Sequence, residues 1–81
     1  MSRQEKTRES ILSGESDANV DFDDLCQFLT RLGFARRTKG SHQIFTKAGV
    51  RHRINLQRAG RQAKPYQVRQ IREILAEYPQ L

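Results

Sequence analysis

The sequence is poor in cysteine, proline and long apolar runs, and its second half is almost without acid. The single cysteine, Cys26, leaves no internal disulfide to form, and no Cys/His group has the spacing of a metal site. No stretch approaches the roughly 18–20 apolar residues of a membrane-spanning helix. The charged start, Met1 to Ser10, is followed by no apolar segment and does not read as a secretory signal. The expectation is a cytoplasmic protein with no membrane association, metal or other cofactor. With 81 residues the chain holds one small domain. A domain of that size buries roughly 60% of the surface its unfolded chain exposes, so any site is shallow and open to a large, flexible substrate.

What is abundant is positive charge, unevenly placed. Residues 1–33 carry 4 Lys and Arg against 7 Asp and Glu, whereas residues 34–81 carry 11 against 2; the two parts combine to the net +6 of the chain. A basic half of this density neutralises phosphates and releases counterions on binding a nucleic acid. A cationic face that only keeps the protein soluble is the bland alternative.

Residues 2–13 read as a short polar helix, with Ser2 and Glu5 at capping-box spacing and Gly14 as its stop. Ile11 and Leu12 are its only apolar contacts, so it is a docked appendage or a frayed arm. Ser13 to Asn19 is a connection. The next helix starts at Asp21, whose carboxylate suits a cap, and Val20 and Leu25 occupy the positions of a hydrophobic staple. Phe22, Leu25, Cys26, Phe28, Leu29 and Leu32 form one apolar face, ended by Gly33. Cys26 on that face is a small core residue.

Three extended segments follow, Phe34–Lys39, Ser41–Lys47 and Val50–Gln57, the last two joined by the Ala48-Gly49 turn. In the third, Val50, Ile54 and Leu56 share one face and Arg51, Arg53, Asn55 and Gln57 the other. His52 falls on the apolar phase and reads as half-buried or as an edge residue. Periodicity does not decide the second segment, where Ile44 and Phe45 point opposite ways. Arg58–Lys64 has three cations and no periodicity, and is expected to be a mobile basic loop. Pro65 opens a final helix with Val68, Ile71, Leu75 and Tyr78 as its stripe, flanked by Ile74. Two amphipathic helices on one face of a three-stranded meander make an α+β two-layer domain, its other face exposed. The boundaries expected are an N-terminal helical extension and connection over 1–20 and one domain over 21–81.

The chemistry concentrates at Lys39-Gly40-Ser41-His42, where a Gly-Ser turn delivers one histidine onto the start of a strand. Histidine exchanges protons near neutral pH. The surrounding Arg36, Arg37, Lys39 and Lys47 suit work on a phosphodiester. Arg51, Arg53 and Lys64 extend the candidate phosphate-binding set. Tyr66 is placed either to stack on a base or to seal the helix start.

Lys39-Gly40-Ser41-His42, then Ile54-Asn55-Leu56-Gln57, then Ala63-Lys64-Pro65-Tyr66-Gln67-Val68, in this order, resemble the HicA family of bacterial toxins over roughly residues 21–78. The resemblance implies a fold like that of double-stranded-RNA-binding domains, α-β-β-β-α, with the N-terminal helix as an addition. It implies a metal-independent endoribonuclease that cuts messenger RNA to block translation and is held inactive by a HicB-type antitoxin, with no DNA binding expected. The family's catalytic histidine corresponds to His42; Gly40 and Ser41 belong to the same motif and join the RNA-binding set. Many members have a second histidine where this chain has Gln43. Two other readings fit the composition: a non-catalytic RNA-binding module, and an interaction protein whose basic face docks an acidic partner.

Overall fold

A computed structural model describes residues 2–81. Helix α1 (Arg3–Ser13) leads through a 3-10 turn (Asp17–Asn19) to α2 (Phe22–Arg31). Strands β1 (Ala35–Lys39), β2 (His42–Lys47), β3 (Val50–Ala59) and β4 (Gln62–Ala63) follow, then α3 (Pro65–Glu77). The strands form one antiparallel sheet in sequence order. The result is the expected α+β fold, a double-stranded-RNA-binding-domain-like arrangement with an added N-terminal helix and a fourth strand. Among the described residues no helix is long and apolar enough to cross a membrane.

Local chemistry sets the ends of α2. Asp21 Oδ2 accepts the Asp24 backbone N–H at 3.0 Å, one of the amides that a helix start leaves without a partner. Val20 and Leu25 are both buried on either side of that cap. Leu25, Phe28 and Leu29 then meet Phe45, Ile54 and Leu56 of the sheet and Val68, Ile71 and Ile74 of α3 in a single core. Each such side chain contributes about 1.5–3 kcal/mol when fully buried. Cys26 lies in this core, and burial pushes its thiol above the ordinary value.

Two segments differ from expectation. Residues 58–64 are a folded hairpin rather than a mobile loop. β3 continues to Ala59, the chain reverses over Gly60-Arg61, and β4 pairs back so that Arg58 opposes Ala63. Gly60 has φ 65°, a conformation that costs glycine little and makes the two-residue reversal possible. The hairpin is tied to the start of α2: Ala63 N–H donates to Val20 O at 2.9 Å and Phe22 N–H to Arg61 O at 2.9 Å. Arg58 lies 4.6 Å over the Phe22 ring and bonds Asp23 at 2.8 Å. None of these partners is close in sequence, so local composition showed only a cationic stretch.

α1 is docked, and Ile11 is fully buried in the common core. Arg72 of α3 donates to the Ile11 carbonyl at 2.9 Å and holds Asp17 through two bonds of 2.9 and 3.1 Å. That guanidinium holds the Asp17 carboxyl below its usual value. Arg8 adds a bond to the Leu81 carbonyl at 3.1 Å and lies over the Phe28 ring.

Candidate active site on the open face of the sheet

The β1–β2 hairpin places the histidine. Lys39 and His42 oppose each other, so Gly40-Ser41 is a two-residue loop. Gly40 has φ 61°, and among the described residues no non-glycine residue has positive φ. A glycine at the first loop position followed by a residue of negative φ matches the strand twist as a type II′ turn does. Register then decides the face that periodicity left open. Phe45 opposes Ile54, and Gln43 opposes Leu56, on the core side. His42 opposes Gln57, and Ile44 opposes Asn55, on the open side.

Two rows therefore cross the open face, Lys39–His42–Gln57 and Arg37–Ile44–Asn55. Partners in such rows stand within about 4.5–5.5 Å at Cβ. His42 is half-buried, and its Nδ1 lies 2.9 Å from Asn55 Oδ1. An amide oxygen only accepts, so this contact belongs to the tautomer that carries its proton on Nδ1 and leaves the Nε2 lone pair free. Beside it, Lys64 Nζ donates to Gln57 Oε1 at 3.2 Å, and Gln57 Nε2 donates to Ser41 Oγ at 3.2 Å. This chain of bonds ties the start of α3 to the turn that carries His42.

A cleft of about 230 Å³ opens here, with His42, Arg53, Asn55 and Gln57 on its sheet side and Tyr66, Gln67 and Gln70 of α3 opposite. A second groove, of about 290 Å³, lies across Arg53 and is walled by Arg36, Arg37, Lys39 and Ile44. An imidazole with one free nitrogen, lining a polar cleft on the sheet face that carries Arg37, Lys39 and Arg53, can move a proton beside a bound phosphate.

Comparison with protein families matches residues 22–76 to the family described as HicA toxin of bacterial toxin-antitoxin. The chain belongs to the HicA toxin family. It is accordingly a toxin of a bacterial toxin–antitoxin pair. No curated protein and no solved structure matches it. The matched span begins with α2 and leaves out α1, which this HicA-family chain carries in addition.

The cations of the sequence do not form one patch. Arg37, Lys39 and Arg53 share the open face with His42, and Lys64 reaches it through Gln57. Arg36 borders the groove but turns its guanidinium to the other side, where its Nε bonds Gln43 Oε1 at 2.8 Å and the group lies 5.8 Å over the Phe45 ring. Lys47 stands at the far end of β2 from His42, its ammonium against Gly33, where the C-terminal end of α2 favours a cation. Arg51 lies at the same end of β3, 4.0 Å from Glu77. Gln43, at the place of the second histidine of many members, faces the core side and accepts from both Arg36 and Thr38. A side chain there does not share the open face with His42.

His52 is also remote from the site. Its Nε2 lies 3.0 Å from Glu77 Oε1 and its ring packs edge-on to Tyr78. The hydrogen bond from His52 holds the Glu77 carboxyl below its ordinary value. Asn55, Gln57 and Gln70 are the site residues that sequence reasoning passed over. For Asn55 and Gln57 the signal was present, since both share the β3 phase of Arg53. Gln70 had none, because only the packing of α3 against β3 brings it near. Gln67 is 1% exposed although polar, because its Oε1 turns back to accept the Lys64 backbone N–H at 3.3 Å.

Proposed function

We propose that this toxin is a metal-independent endoribonuclease that cuts messenger RNA in the cytoplasm, with His42 as its proton-transfer residue. Its toxin domain is residues 21–81, with 1–20 as a docked extension. The observation that carries the reading is the His42–Asn55 contact, which leaves Nε2 free on a face walled by Arg37, Lys39 and Arg53. RNA brings its own nucleophile, so the protein needs only to move protons and stabilise charge. His42 Nε2 takes the proton of the 2′-hydroxyl as the 2′-oxygen bonds to phosphorus. The bond from phosphorus to the 5′-oxygen breaks, and that oxygen leaves with a proton from solvent. The products are a 2′,3′-cyclic phosphate and a 5′-hydroxyl. Arg37, Lys39, Arg53 and Lys64 bind the strand and offset the charge that grows on the phosphoryl oxygens. An antitoxin of the HicB type silences the toxin by covering this face.

The test is incubation of a defined RNA in EDTA with the wild-type chain and with His42→Ala. Cleavage by the wild type alone, ending in a cyclic phosphate, supports the assignment. Cleavage by both at equal rate removes His42 from the chemistry. Binding without cleavage by either moves the reading to a non-catalytic RNA-binding module.

A further inference from the structure

Among the described residues Tyr66 and Leu12 are the large apolar side chains left exposed, and Tyr66, at 55%, sits in the wall of the His42 cleft. Tyr66 follows Pro65 in the first turn of α3, on a backbone held by the Gln67 cap, so its place is set by the fold. Gln70 stands one turn further along the same side of the helix and brings a half-buried amide to the cleft. The sheet wall adds Asn55, and no carboxylate lines the space. The cleft that His42 lines and the groove that meets it at Arg53 thus differ in chemistry. The groove of Arg37 and Lys39 is cationic, while the cleft of Tyr66 is aromatic and amide-lined, with Arg53 on their border.

A phosphate suits the first and an uncharged, flat, hydrogen-bonding ring suits the second. We infer that the cleft between Tyr66 and the sheet takes one unstacked nucleobase of single-stranded RNA, next to the phosphate that faces His42. The base stacks on the Tyr66 ring, and Gln70 meets its edge. This rests on the proposed nuclease reading for the identity of the ligand, and adds to it the strandedness of the substrate and the residue that holds it. A base in an A-form duplex is already stacked and paired, whereas an unpaired base is free to turn out onto an aromatic side chain. Stacking tolerates every base, so any preference among them falls to the Gln70 amide.

The experiment uses the full chain and a short single-stranded 2′-O-methyl RNA, which has no free 2′-hydroxyl to attack, with 2-aminopurine placed at each position in turn. Binding is expected to quench the fluorescence at one position. Tyr66→Leu, which keeps an exposed apolar side chain and the fold, loses that quench and weakens binding about tenfold or more, while Tyr66→Phe keeps both. Gln70→Ala leaves the quench and evens out the affinities for different bases at that position. Quenching and affinity unchanged in Tyr66→Leu, or no quench at any position, overturns the base subsite. A quenched complex whose unmodified RNA counterpart stays intact sinks the nuclease reading and leaves the subsite standing. Cleavage of unmodified RNA that ignores Tyr66→Leu does the reverse.

Discussion

Asn55 Oδ1 stands 2.9 Å from His42 Nδ1, and the two residues lie diagonally across β2 and β3 on the open face. The neighbour of Asn55 in its own row is Ile44, which cannot bond to it, so the amide is free to select one imidazole tautomer. Asn55→Leu removes that selection without touching the RNA-binding cations. The expected result is a kcat roughly tenfold lower with KM little changed. The ring nitrogen shifts of His42 in NMR should change from one dominant tautomer to a mixture, a readout independent of turnover. An unchanged tautomer in Asn55→Leu would show that the contact positions nothing.

The two histidines should separate cleanly. His52 is held by Glu77 and lies in the phase of β3 opposite to the cleft residues, on the edge that α3 closes through Tyr78. His52→Ala is expected to cleave RNA within about twofold of wild type, whereas His42→Ala loses at least about a hundredfold. Initial rates on one RNA at fixed pH decide it. A large loss in His52→Ala with an unaltered melting temperature would mean that the active face extends further than the register indicates.

The contrast between these histidines also shows how far the sequence could be read. On β3 the alternation of Val50, Ile54 and Leu56 against Arg51, Arg53, Asn55 and Gln57 was unambiguous, and the observed burial follows it. On β2 the adjacent Ile44 and Phe45 cancelled each other. Pairing with β3 turns Phe45 inward because Ile54 opposes it, and leaves Ile44 half-exposed among arginines. Asp21, Val20 and Leu25 announced α2 because caps and staples are local devices. The 58–64 hairpin was illegible because its partners are Val20 and Phe22, some forty residues back. The site was half legible: the Gly-Ser turn marked His42, but which cations stand beside it depends on register and on position along the strands, and the side chains of Arg36, Lys47 and Arg51 are engaged elsewhere.

That sorting of cations makes its own prediction. Arg37→Ala and Arg53→Ala remove charges that wall the groove beside His42. Each should weaken RNA binding across sequences and lower the slope of log affinity against log salt by about one. Arg51→Ala and Lys47→Ala, at the far end of the same strands, should leave affinity and slope unchanged. Fluorescence titrations of one RNA over a range of salt measure all four. Equal losses in the four variants would mean that the charge acts as a diffuse field and not as a groove.

The docking of α1 should depend on pH through Asp17. Its carboxyl accepts two bonds from Arg72, whose Nη1 also reaches the Ile11 carbonyl at the end of α1, so one guanidinium joins α3, the 3-10 turn and α1. Both side chains are largely shielded, which sets the pair above an ordinary surface ion pair. The Arg72 hydrogen bonds hold the Asp17 carboxyl below its ordinary value of 3.8, so folding favours the charged form. A group shifted in this direction contributes its full stability above its unfolded value and loses it as pH falls through the lower, folded value. Melting temperature should therefore drop more steeply in wild type than in Asp17→Asn as the pH is taken from about 7 to about 3. At neutral pH Asp17→Asn should melt below wild type, and the two proteins should converge in acid. Ile11→Ala, which empties a fully buried position, costs about 2–5 kcal/mol at either pH, because no titrating group is involved. Parallel melting curves for wild type and Asp17→Asn across that range would show that the pair adds nothing to the docking of α1.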